Sequence, residues 1–242
     1  MNVITKGIVL SETAYGESSK ILNVLTSDYG VIGIISKGCK NIKSKLRGVS
    51  GKMAYAEYTI SYKEKGLSTL IEGNTINSFK NIFYNLKKAN YAFYLMDLVN
   101  QVSKENNDKE LFNLLESALL KINDNLSEEL ISNIVELKLL DYLGVSINLD
   151  ECILCGSEDI YTLDIKNGGV ICKDCYTDGY VFDMKTINLM KVLRSIDLSK
   201  ITKLEIDEEK IIKEIDEFLS EYYSTYTGIY LRDKKKLGNV VI

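Results

Sequence analysis

The stretch Met53-Ala54-Tyr55-Ala56-Glu57-Tyr58-Thr59-Ile60-Ser61-Tyr62 alternates strictly. Ala54, Ala56, Tyr58, Ile60 and Tyr62 fall on one side of a pleat, and Tyr55, Glu57, Thr59 and Ser61 on the other. A period of two in a run rich in Tyr, Thr and Ile predicts a half-buried β-strand with one apolar face. Four shorter β-rich runs accompany it within the first 80 residues: Ile4 to Leu10, Ser19 to Leu25, Val31 to Ile35 and Ser68 to Ile76, separated by Gly, Ser and Asn. Five short strands in so little chain predict a small barrel, and the pattern alone leaves an OB barrel, an SH3-like barrel and an open sheet as alternatives.

Glycine, in a chain with no proline, marks where this region ends. Nine of the 16 glycines lie in residues 1–80 and none between Gly73 and Gly144. Interior glycine weakens a helix by about 1 kcal/mol relative to Ala, so a glycine-free middle favours helix. Three helices are expected there: Asn81 to Lys104, Asp108 to Ile122 and Ser127 to Leu143, the last with Ser127 as N-cap and Gly144 as its stop. Two more, Met184 to Ile196 and Asp207 to Tyr223, carry apolar stripes that return them to the same bundle.

Between the helical parts stands Cys152-Ile153-Leu154-Cys155, then 16 residues, then Cys172-Lys173-Asp174-Cys175. Two C-x-x-C turns so spaced bring four thiolates around one tetrahedral Zn²⁺, a closed and therefore structural site, in a segment too small to build its own core. Free thiols and a redox pair are the competing readings. A redox C-x-x-C is expected singly, opening a helix in a βαβ pattern, and neither feature is present. The fifth cysteine, Cys39, reads as a small buried hydrophobe.

The composition removes whole classes of activity. With no histidine there is no Ser-His-Asp or Cys-His nucleophile, no His-ligated catalytic zinc and no imidazole base. No phosphate-binding glycine loop indicates ATP or a dinucleotide. The carboxylates Asp207, Glu208, Glu209, Asp216 and Glu217 read as solvated helix faces, so no enzyme is expected. No apolar run is long enough to span a bilayer and no signal peptide is evident, which predicts a cytoplasmic protein.

Net charge is −4, but unevenly spread: residues 1–80 hold 11 basic and 6 acidic side chains, and the remainder 19 against 28. Within the basic part, Lys37, Lys40, Lys43, Lys45, Arg47 and Lys52 fall in a segment without one acid between residues 29 and 56. We read it as an extended loop whose cations follow a phosphate backbone; a merely solvated loop is the bland alternative. Tyr15, Tyr29, Tyr55, Tyr58 and Tyr62 are available to stack on bases, though none is singled out. Tyr84, Tyr91 and Tyr94 read as packing residues of the first long helix.

The opening Gly7-Ile8-Val9-Leu10, then Tyr15-Gly16-Glu17-Ser18-Ser19-Lys20-Ile21-Leu22, Thr26, Gly30 and Ser36-Lys37-Gly38 through Ser44-Lys45-Leu46-Arg47 resemble the N-terminal domain of the RecO family of bacterial DNA repair proteins. The resemblance implies an α+β multidomain chain: an OB-type barrel (1–80), a helical domain in two parts (81–149 and 181–242) and an inserted four-cysteine zinc module (150–180). It implies a non-enzymatic, nucleoid-associated recombination mediator that binds single- and double-stranded DNA and anneals complementary strands. With RecR, such a protein helps load RecA recombinase onto strands coated by single-stranded DNA-binding protein. The DNA-contacting cations fall on Lys37, Lys40, Lys43, Lys45 and Arg47, and Lys234, Lys235 and Lys236 offer a further basic spot. An RNA-binding OB protein with a zinc ribbon is the alternative.

Overall fold

The computed structural model describes residues 1–206 and 208–238. All five expected strands form: β1 (Asn2–Tyr15), β2 (Ser19–Thr26), β3 (Gly30–Ser36), β4 (Tyr55–Ser61) and β5 (Ser68–Asn77). They close in the order β1-β2-β3-β5-β4, with β4 pairing back on β1 and a parallel β3–β5 seam. This closed five-stranded arrangement is an OB-type barrel. β1 outruns its expected length because it serves two neighbours: Asn2 to Ile8 pair with β4, and Gly7 to Tyr15 with β2. An irregularity between Val9 and Ser11 bends it from one to the other. Where the two pairings overlap the wall is tight, for a Cβ on Gly7 would lie 2.6 Å from Val24 Cγ1.

The segment between β3 and β4 is not the extended loop expected. It folds as successive turns, and Val49 packs among the interior side chains of the barrel, with Leu46 against the same cluster. Tyr58 Oη donates to Val49 O at 2.9 Å, and the hydroxyls of Ser36 and Ser50 meet at 2.8 Å. The apolar residues that anchor this loop are few and scattered among lysines, so charge dominated the sequence reading.

The first long helix divides into α1 (Lys80–Phe83) and α2 (Leu86–Glu105). Asn85 interrupts it by accepting Lys88 N at 3.2 Å as the N-cap of α2. Tyr84 therefore lands in the break, 87% exposed, whereas Tyr91 and Tyr94 are buried as expected. α3 (Glu110–Asn123) and α4 (Glu128–Tyr142) follow, Ser127 capping α4 through Leu130 N. Gly144, at φ +71°, terminates α4, and Val145 N reaches back to Leu140 O at 3.0 Å. The module β6 (Thr162–Asp164) and β7 (Gly169–Ile171) intervenes before α5 (Met184–Ser195), α6 (Glu209–Tyr226) and α7 (Lys234–Gly238).

One apolar core joins the helices: Leu95 and Val99 of α2, Leu115 and Leu119 of α3, Ile131 and Val135 of α4, Met190 of α5 and Phe218 of α6 are fully buried in it. Ile8, Leu10, Leu25, Met53, Tyr55 and Phe79 belong to the same cluster, so one flank of the barrel packs directly on the bundle. Polar fasteners cross the seam. Asn23 Nδ2 donates to Asn100 Oδ1 at 2.8 Å, Val31 N to Asn107 Oδ1 at 2.7 Å, and the Tyr55 hydroxyl to Glu116. Among the described residues no helix is long and apolar enough to cross a membrane.

Candidate metal centre and nucleic-acid interface

Cys152, Cys155, Cys172 and Cys175 converge as their spacing predicts, with all four sulfurs within 4.8 Å of one another. Tetrahedral thiolates about 2.3 Å from a zinc ion stand about 3.8 Å apart, and the Cys155 and Cys172 sulfurs are 3.6 Å apart. Backbone bonds shape both turns: Gly156 N donates to Cys152 O and Cys152 N to Ser157 O, each at 2.8 Å, and Tyr176 N to Cys172 O at 3.1 Å. Burial opposes ionisation of Cys152, yet the N–H groups of Cys172, Leu154 and Cys155 aimed at its sulfur bring the thiol down to about 6. The neighbouring sulfurs of Cys155 and Cys172 push Cys175 the other way, to about 12. Four sulfurs this close are all anionic only around a cation, and the donor set fits a metal ion.

The cations of the β3–β4 loop separate into two kinds. Lys37, Lys43, Lys45 and Arg47 are exposed, and among the described residues none of their side chains has a hydrogen-bond or ion-pair partner. Lys40 is half-buried and donates to Gly16 O at 3.2 Å, tying the loop to the β1–β2 hairpin. Lys52 is turned toward the helical bundle instead. Its ammonium pairs with Asp97 of α2 at 3.0 Å and sits 5.0 Å from the centre of the Phe93 ring. Asp97 also holds Arg232 at 2.7 Å, so one carboxylate links the loop, α2 and the C-terminal segment.

The barrel tyrosines are mostly committed elsewhere. Tyr55 and Tyr58 are buried, and the rings of Tyr29 and Tyr62 stack on each other at 4.3 Å; Tyr15 stays exposed on the hairpin. The C-terminal basic spot is corrected at its first residue. Lys234 is buried, pairing with Glu136 at 2.9 Å and Asp216 at 2.7 Å and bonding Asn133, so it is not a surface cation. Asp216 is correspondingly not on a solvated face, whereas Glu217 pairs with Lys213 and Glu208 with Lys185 on exposed ones. Asp207 lies outside the described residues. Neither Glu136 nor Asn133 was singled out in the sequence, since a polar residue inside an apolar helical stripe announces no partner 98 to 101 residues away.

The fold defines the class of chain: a closed OB-type barrel bearing a cationic loop, fastened to a helical bundle that carries a four-cysteine module. The comparisons give the family. Residues 1–79 match the model of the recombination protein O N-terminal domain, and residues 84–235 that of its C-terminal domain. The chain is 32% identical over 245 residues to the DNA repair protein RecO of Bacillus pumilus, covering 99% of this chain and 95% of that protein. It is 32% identical over 240 residues to RecO of Bacillus subtilis (97% and 93%) and 30% identical over 237 residues to RecO of Listeria monocytogenes (96% and 92%). The chain belongs to the RecO family of DNA repair and recombination proteins.

Proposed function

We propose that this chain is a non-catalytic recombination mediator whose β3–β4 loop contacts the phosphates of single- and double-stranded DNA. The four exposed loop cations carry this reading: they cluster in one segment with no acid between residues 29 and 56 and have no partner of their own among the described residues, whereas Lys52 is paired with Asp97. Lys40, held to the hairpin, positions the loop and adds a fifth charge, whereas Lys52 is held by Asp97 and ties the loop's end to α2. On this reading the protein anneals complementary strands and, with RecR, assists RecA loading on strands covered by single-stranded DNA-binding protein. The four cysteines hold one structural Zn²⁺, with no coordination position left for a reacting water.

Salt titration of the affinity for a single-stranded oligonucleotide tests the site. Four to five phosphate contacts give a log-log slope of about −3 to −3.5. Replacing Lys37, Lys40, Lys43, Lys45 and Arg47 together with Ala is expected to flatten the slope and abolish annealing while the melting temperature stays near that of the parent. An unchanged slope would place the interface elsewhere.

A further inference from the structure

Ile42 stands on the cationic loop with 85% of its surface exposed and belongs to none of the apolar clusters. Its position is defined by the backbone. Ser44 N donates to Asn41 O at 3.0 Å, so Ile42 is a central residue of a β-turn. The turn's base is fixed by Lys40 N to Ser18 O at 2.9 Å, Gly38 N to Ser19 Oγ at 3.2 Å and Asn41 N to Gly38 O at 3.2 Å. Single exposed apolar residues are ordinary on protein surfaces. A β-branched residue at the centre of a tight turn is less so, since Asn, Asp, Ser, Gly and Pro are the residues that turns favour. Around it on the same loop are Lys37, Lys40, Lys43, Lys45 and Arg47, and no other large apolar side chain between residues 29 and 56 is exposed. A DNA strand drawn to these cations offers its base faces as its largest apolar surface.

Resting on the DNA-binding reading above, we infer that Ile42 is a wedge: it inserts against or between the bases of the strand whose phosphates the loop cations hold. Apolar side chains flanked by phosphate-binding cations unstack base steps elsewhere, and a rigid turn lets the strand's binding energy meet the cost of unstacking. An annealing protein benefits directly, because strands with unstacked bases offer free Watson–Crick edges to a complement.

The test uses the full chain. Ile42→Ala is expected to bind a single-stranded oligonucleotide roughly five-fold more weakly. The salt slope stays that of the parent, because no cation is removed. The rise in 2-aminopurine emission that reports unstacking should fall with it. Since the chain contains no tryptophan, Ile42→Trp places a sole reporter at the tip, and its emission is expected to be quenched when oligo-dT binds. If both variants bind like the parent, with unstacking unchanged and Trp emission unmoved, the wedge is overturned and the phosphate interface stands. If the parent itself fails to bind DNA, the interface and the wedge fall together.

Discussion

Lys234 illustrates how a single side chain can invert its apparent role. In sequence it opens a Lys-Lys-Lys run; in the fold it is buried between Glu136 and Asp216, with the Tyr94 hydroxyl donating to Glu136 at 2.7 Å. Burial by itself would lower its pKa, but the two carboxylates outweigh burial and raise it above the ordinary 10.5. Glu136 is held above its usual 4.5 by burial in spite of the ammonium, which marks a carboxylate that depends on that partner. Removing one member of a buried pair strands the other charge, so Lys234→Met is expected to lower unfolding stability by about 3 kcal/mol at pH 7. Adding Glu136→Gln should recover part of the loss. The sign with pH follows from the raised lysine. Its contribution is whole below about pH 10.5 and disappears as pH rises through the folded-state value, so the parent's advantage over the Met variant should shrink in strongly alkaline denaturant titrations, and shrink separately in acid once the buried carboxylates are protonated. A constant gap through the alkaline range would mean that the ammonium is not what stabilises the cluster.

The elements differ in how far they can stand alone. Around the cysteines the apolar cluster consists of Cys152, Ile171 and Cys172, with Cys175 and Tyr176 against it, too little to order 30 residues. Leu163 and Val170, however, belong to the main core, and the Tyr226 hydroxyl donates to Ile165 O at 2.8 Å, so α6 supports β6 and β7 from one side. Replacing Cys152 and Cys155 with Ser, or stripping metal with a chelator, is therefore expected to loosen residues 150–180 locally. Hydrogen exchange should quicken there by orders of magnitude while α2, α3 and α4 keep their protection. Metal analysis should return one zinc per chain, and well under one equivalent would refute the assignment. This module was legible because its chemistry is local: four cysteines at fixed spacing. The barrel strands were equally readable, since alternation and glycine spacing are properties of short windows. The break at Asn85 carried a local signal, an Asn opening an amphipathic run, that the surrounding helix-formers obscured. The pairing of Lys52 with Asp97 and the packing of Val49 in the barrel had no such signal, because each depends on which distant surface the folded chain brings near.

At the scale of the molecule, the division of charge favours the proposal that DNA and protein contacts fall on different surfaces. The barrel and its loop carry the positive excess, and residues 81–242 hold 28 acidic against 19 basic side chains. The helical part should therefore repel a phosphate backbone, and on the proposed function the acidic tail of single-stranded DNA-binding protein would dock there by its hydrophobic end, with nearby lysines meeting its carboxylates. Isolating residues 81–242 is a poor way to test this. Ile8, Leu10, Leu25, Met53, Tyr55 and Phe79 share the bundle's core, and cutting them away would expose apolar surface that binds peptides indiscriminately. The full chain answers more cleanly, for Lys37, Lys43, Lys45 and Arg47 are exposed and leave that core untouched when changed, and Lys40 reaches only the hairpin. The five-cation alanine variant is expected to lose oligonucleotide binding at physiological salt yet bind a labelled tail peptide within about two-fold of the parent, the spread ordinary for surface changes remote from a contact. Parallel loss of both ligands would mean that the loop serves the acidic peptide as well as the acidic backbone, so that the two partners compete for one cationic surface. In that case adding oligonucleotide should displace the peptide from the parent chain, and the same titration read by anisotropy distinguishes one shared surface from two.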